Sequence, residues 1–299
     1  MSAGRLRTLL GVPIVALRWW RRTTTAPIVE QYLLLVALPA ALSLSWLLGI
    51  GSGLRFSLAA ESVVANGRTL LTAFTANYIH VSARHLFDNL LNFWLTLFGL
   101  YPLVAIAGWE RRFRRLAAGY LLVVPFVVAW VTLATLGQVT DQPSAGFSGI
   151  VAAFLGLLPV VLVAAGGKLT DSALDPAWSV VPFFASLAVV FAVPSVWYFP
   201  AQPVVAVGCG GAGLLAAGLL WWVVPPRGIV AAVRPLSADH RLALLIGTTV
   251  FVFGVVGALV IVPPGTNVWG HLTGYVTGFL LAYLGYVIAP AMRYSRRHL

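Results

Sequence analysis

The chain has little charge. Only 9% of its 299 residues are charged and 60% are hydrophobic, whereas a soluble domain carries about 25% charged residues. This composition excludes an ordinary soluble fold and indicates a membrane protein. The net charge of +11 does not predict a nucleic-acid partner, because the basic residues form short clusters between apolar runs. We expect those clusters to contact the lipid bilayer.

Cysteine is nearly absent. Cys209 is the only one, which excludes an internal disulfide and a cysteine-based zinc site. The H-E-x-x-H pattern of membrane metalloproteases is also missing, so His80, His85 and Asp88 are interpreted as residues that bind no metal. We expect neither a metal nor another cofactor.

Long apolar runs are abundant. A membrane helix needs about 20 apolar residues, and eight stretches qualify, which predicts an all-α polytopic membrane protein with one membrane domain over residues 31–290. A basic segment over 1–30 precedes this domain, and a basic tail over 291–299 follows it. The predicted spans are 31–50, 85–107, 116–137, 147–166, 178–199, 203–224, 242–262 and 268–289.

The basic residues are distributed unevenly between the two sides of this arrangement. With eight spans, both termini share one side with all but three of the 19 Lys and Arg residues. The exceptions are Arg55, Arg68 and Arg84. Because positive residues mark the cytoplasmic side, we expect an integral multi-pass protein of the cell membrane with both termini in the cytoplasm.

Polar residues cluster at the opposite, external end of the predicted spans. Ser148 begins the fourth span, His271 begins the eighth, and His85 and Asn89 lie at the start of the second. Small residues recur below Ser148 and His271 at helical spacing, which allows membrane helices to approach closely. The two stripes consist of Ser148, Ala152 and Gly156, and of His271, Gly274 and Gly278. We expect these stripes to pack together and to bring Ser148 within hydrogen-bond reach of His271.

Three motifs resemble those of the rhomboid family of intramembrane serine proteases. They are His80-x4-His85-x3-Asn89, Gly146-Phe147-Ser148-Gly149 and Gly270-His271-x2-Gly274-x3-Gly278. The resemblance covers about residues 31–166 and 242–290, and implies a rhomboid-like six-helix core with about two additional spans between Ser148 and His271.

The resemblance also implies a role for each matched residue. Ser148 is the nucleophile, His271 the general base, and His85 and Asn89 form the oxyanion hole. The supporting residues are His80, Gly146, Gly149, Gly274 and Gly278. The implied partners are transmembrane protein substrates with small residues at the cleaved bond. Elementary chemistry agrees, since a serine hydroxyl is a weak nucleophile until a base such as neutral histidine removes its proton.

The chain departs from the family at several positions. The family often has an aromatic residue four positions after the serine, stacked on the histidine, but this position is Ala152, so His271 must be oriented by another group. No acidic residue lies near His271 in sequence, which favours a dyad over a triad. The family's Trp-Arg pair in the first external loop is missing, and Arg68 resembles its remnant.

Two other functions are compatible with eight spans. A non-catalytic rhomboid-like binder or chaperone of membrane proteins typically lacks the catalytic residues, whereas Ser148, His271 and Asn89 are all present here. A transporter or channel requires polar residues through both leaflets, whereas the polar groups here stay near one face. We therefore predict a serine endopeptidase.

Overall fold

The computed structural model describes residues 19–21, 23–24, 28–51, 53–170, 174–226 and 236–289. Most of the predicted basic segment over 1–30 and all of the predicted tail over 291–299 lie outside the described residues. Every regular element among the described residues is a helix, which confirms the all-α fold class.

The fold is a bundle of helices. They are α1 (Val29–Leu47), α2 (Gly67–Thr75), α3 (Ala83–Ala107), α4 (Glu110–Leu122), α5 (Val124–Gln138), α6 (Ser148–Leu169), α7 (Pro176–Ala192), α8 (Pro203–Val223), α9 (Ala238–Val260) and α10 (Val268–Ile288). Helices α1, α9 and α10 each include one π-helical turn.

The number of membrane spans differs from the prediction. Among the described residues, six helices are long and apolar enough to cross a membrane, namely α1, α3, α6, α8, α9 and α10, and α4 with α5 forms a bent pair that raises the number to seven. The predicted span over 178–199 is not confirmed, because α7 is shorter and ends at Ala192. Val193 is extended, with φ −114° and ψ 128°, since the residue before a proline, here Pro194, disfavours helical geometry.

The bend between α4 and α5 is 42° and follows from Pro125. Proline has no N–H, so it cannot bond to the carbonyl four residues earlier in a helix, which is that of Leu121. The hydroxyl of Tyr78 donates a hydrogen bond to this carbonyl. The side-chain amide of Asn77 donates to the carbonyl of Pro125 over 3.3 Å. Two side chains following α2 therefore satisfy the backbone on both sides of the bend.

Helix α6 is the centre of the bundle. In its most apolar stretch 89% of the residues are buried, compared with 11% in that of the peripheral α8. Its backbone contacts α10 directly: a Cβ atom at Gly156 would overlap the carbonyl oxygen of Tyr275, and one at Gly278 would overlap that of Ala153. The predicted packing of the two small-residue stripes is thus present in the structure.

The α6–α10 contact leads to a test of stability. We expect Gly156→Val to destabilise the protein by about 3 kcal/mol, the upper end of the usual cost of overpacking, because the added atoms meet rigid backbone rather than a movable side chain. The measurement is the midpoint of thermal unfolding in detergent micelles. Gly218→Val is the matched control, since a Cβ atom at Gly218 in α8 meets nothing within 4 Å. Equal midpoints for the two variants would contradict the close packing.

Candidate active site

Ser148 is the first residue of α6, and the backbone before it is held from two sides. Gly146 has φ +135°, a conformation that L side chains rarely adopt. Its N–H donates to the carbonyl of Ala76 over 2.9 Å. Two residues earlier, Ser144 exchanges a pair of backbone hydrogen bonds of 2.8 and 3.1 Å with Phe56. The long segment after α1 is therefore folded against the loop before Ser148 rather than free of it.

Helix α3 presents a histidine and an asparagine to this loop. A Cβ atom at Gly146 would lie only 2.6 Å from Cε1 of His85, so a side chain here would displace this ring, and it would lie in ordinary contact with Nδ2 of Asn89 at 3.6 Å. Ser82 caps the helix, its hydroxyl accepting a hydrogen bond from the N–H of His85 over 3.1 Å. Nδ1 of His85 and Nδ2 of Asn89 are buried, and neither has a hydrogen-bond partner among the described residues. The amide nitrogen is a donor, and the ring nitrogen is a donor in one of the two tautomers. Buried polar atoms without partners are costly and are candidates for binding a ligand.

His271 lies in the first turn of α10, and Asn267 fixes the start of that turn. The side-chain oxygen of Asn267 accepts the N–H of Gly270 over 2.8 Å, a typical N-cap. Its amide nitrogen donates to the hydroxyl of Thr132 in α5 over 2.9 Å. The helix bearing His271 is therefore fixed to α5 as well as to α6.

The ring of His271 is oriented by a backbone carbonyl. Its Nδ1 lies 2.7 Å from the carbonyl oxygen of Ala258, within the π-helical turn Val256–Val260 that ends α9. A carbonyl oxygen only accepts hydrogen bonds, so Nδ1 carries the proton and Nε2 has a free lone pair. This contact supplies the orientation that an aromatic residue at Ala152 would otherwise provide.

One cavity brings the predicted residues together. It has a volume of about 930 Å³ and is lined by Ser148, His271, His85 and Asn89. A second cavity of about 30 Å³, also lined by Ser148 and His271, lies against polar residues of neighbouring elements and has room for a water molecule. Those polar residues are Asn77, Thr132, Ser144 and Asn267. Among the described residues, no hydrogen bond joins the side chains of Ser148 and His271.

The other predicted residues have packing roles. Gly149 lies against Val128 of α5, where a Cβ atom would be 2.9 Å from a methyl carbon. A Cβ atom at Gly274 would overlap the carbonyl oxygen of Gly149. His80 lines neither cavity, but the residue is only 6% exposed, and its ring packs edge-on against that of His85, with centroids 5.4 Å apart. Among the described residues, no group of three or more His, Cys, Asp or Glu could hold a metal ion.

Sequence reasoning missed several residues of the site. Asn92 and Thr96 extend the polar face of α3 beyond Asn89 and also line the large cavity; their spacing of three and seven residues from Asn89 was a detectable signal. Asn267, four residues before His271, fits an N-cap signal. The carbonyl of Ala258 has no sequence signal, because any residue supplies a carbonyl.

Comparison with protein-family models, with curated proteins and with solved structures found no match for this chain. The resemblance to rhomboid proteases therefore depends on the three sequence motifs. The function has to be inferred from these motifs and from the geometry of the side chains around Ser148.

The burial of His80 leads to a prediction about pH. Burial, assisted by the nearby His85 ring, lowers the pKa of His80 from 6.5 to about 4. The unfolded chain therefore binds more protons than the folded chain between these values, and stability falls as pH decreases through this window, by up to roughly 3 kcal/mol.

The loss of stability at low pH is measured by the midpoint of thermal unfolding in detergent between pH 6.5 and about 4. We expect His80→Phe to reduce the pH dependence, because the variant has no imidazole to protonate. His240→Phe, a substitution at the other end of the bundle, should retain it. Identical pH profiles for the parent and His80→Phe would show that His80 does not cause the loss.

Proposed function

We propose that this chain is an intramembrane serine endopeptidase of the rhomboid type, which hydrolyses peptide bonds within or beside transmembrane segments of other proteins. One observation supports this proposal most: Ser148, an oriented His271, and His85 and Asn89, which each have a side-chain nitrogen without a partner, line the same cavity. Nucleophile, base and oxyanion donors around one cavity are the parts that acyl transfer requires.

The proposed reaction begins with attack of Ser148 Oγ on the carbonyl carbon of the peptide bond, while its proton passes to Nε2 of His271. The C–N bond then breaks as this proton moves to the leaving nitrogen, and an acyl ester remains on Ser148. A water molecule attacks the ester and gives a proton to His271, which returns it to the serine oxygen. The small polar cavity beside Ser148 and His271 provides a place for this water.

The negative charge that develops on the carbonyl oxygen needs donors. Asn89 Nδ2 and His85 offer side-chain N–H groups, and the backbone N–H of Ser148 lies in the first turn of α6, where backbone N–H groups have no intrahelical acceptor. The positive end of the helix dipole also favours an anion at this point.

The distribution of charge supports an external site. Arg55, Arg68 and Arg84 lie at the end of the bundle that contains Ser148. The opposite end carries the basic residues at the start of α4, the end of α6 and the start of α9. They are Arg111, Arg112, Arg114, Arg115, Lys168 and Arg241. By the positive-inside tendency, this opposite end and both termini face the cytoplasm.

The first test concerns the nucleophile. The purified parent should cleave a single-span test substrate and be labelled by a serine-directed fluorophosphonate, whereas Ser148→Ala should do neither, because it lacks the proposed nucleophile. Ser43→Ala is the control, since the Ser43 hydroxyl in α1 donates to the carbonyl of Pro39 instead. Cleavage and labelling of Ser148→Ala at the parent's rate would exclude this mechanism, and binding of the substrate without cleavage by either form would favour the binder.

The second test concerns the oxyanion donors. Removing one such donor typically costs about 2.7–4 kcal/mol of transition-state stabilisation. We therefore expect Asn89→Ala to lower kcat by about 100- to 1000-fold with little change in KM. Steady-state kinetics on the same substrate measures this effect. A change in KM alone would instead assign Asn89 to substrate binding.

A further inference from the structure

The segment between α7 and α8, residues 193–202, forms a tight turn at the same end of the bundle as Ser148. Phe199 donates its N–H to the carbonyl of Val196 over 2.9 Å, and its own carbonyl accepts the N–H of Ser195 over 3.3 Å. Pro194 and Pro200 flank the turn, and each fixes its own φ near −65°. This turn belongs to the part of the chain that lies outside the resemblance to rhomboids.

Two aromatic side chains attach this turn to the segment that carries the proposed base. Phe199 is fully buried, and its ring centroid lies 4.7 Å from that of Trp269. The hydroxyl of Tyr198 donates a hydrogen bond to the carbonyl of Thr266. Since Thr266 and Trp269 flank the N-cap of α10, the turn is held in a fixed position relative to His271.

Trp197 occupies the tip of this turn and is 77% exposed. Its ring packs edge-on against Tyr198, with centroids 5.3 Å apart, and both residues line the cavity that contains Ser148. An exposed indole on a rigid backbone loses little conformational entropy when an apolar group covers it. Tryptophan is also common in interfacial belts, but a belt residue has no need to line a cavity or to be fixed beside His271.

We infer that Trp197 is a specificity-determining residue, which contacts a large apolar side chain of the substrate segment bound at Ser148. This inference rests on the proposed proteolytic function. It assigns the turn between α7 and α8 a role in substrate selection, because this turn places the aromatic rings of Trp197 and Tyr198 along the cavity. The cavity's volume of about 930 Å³ is sufficient for such a side chain in addition to the scissile bond.

The test uses a single-span substrate with alanine at the positions around the cleaved bond, and a series in which one phenylalanine is moved through these positions. For the parent, we expect phenylalanine at one position to raise kcat/KM about tenfold over the all-alanine substrate, which is typical of a hydrophobic contact. Trp197→Ala should abolish this gain and change cleavage of the all-alanine substrate less than twofold. Trp197→Phe should retain most of the gain.

Trp222→Ala is the matched control, because Trp222 is 89% exposed and lies at the far end of α8, outside the cavity. This substitution should leave unchanged the increase in kcat/KM that phenylalanine gives over the all-alanine substrate. If Trp197→Ala slows both substrates equally, or neither, the inference is wrong while the proposed function stands. If the parent is neither labelled by fluorophosphonate nor cleaves any substrate, the proposed function itself is wrong.

Discussion

The direct contact between the backbones of α6 and α10 is the constraint on which the rest of the site depends. Lipid tails are as apolar as the helix surfaces, so the hydrophobic effect does not draw these helices together, and close van der Waals packing must do so. Gly156 and Gly278 permit this approach because they have no side chains to separate the backbones. As a result, the first turns of the two helices, with Ser148 and His271, border one cavity.

A second constraint concerns the orientation of the imidazole. Serine hydrolases with a triad use a carboxylate to fix the tautomer of the histidine. In this chain a neutral carbonyl of Ala258 meets Nδ1 over 2.7 Å, in a π-helical turn of a different helix. A carbonyl fixes the tautomer without introducing a charge into the membrane, where an ionised carboxylate would be expensive. The orientation of the His271 ring therefore depends on the backbone of α9.

Much of this arrangement could be predicted from the sequence, because apolar length and small-residue spacing are local patterns. The membrane-length helices, the two packed stripes and the polar end of the bundle follow from such patterns. The short α7 shows the limit: its apolar composition suggested a span, but Pro194 ended the helix early. Contacts between distant segments had no local signal, among them the Ala258 carbonyl at His271 and the aromatic turn at Trp197.

The Pro125 bend has one more consequence. Three consecutive residues connect it to the loop before Ser148: Tyr78 and Asn77 bind the carbonyls on either side of the bend, and Ala76 binds the N–H of Gly146. These hydrogen bonds join the bend to the backbone two residues before Ser148. Because hydrocarbon thickness acts on the tilt and kinking of spanning helices, the loop before Ser148 is attached to the part of the α4–α5 pair that responds to bilayer thickness.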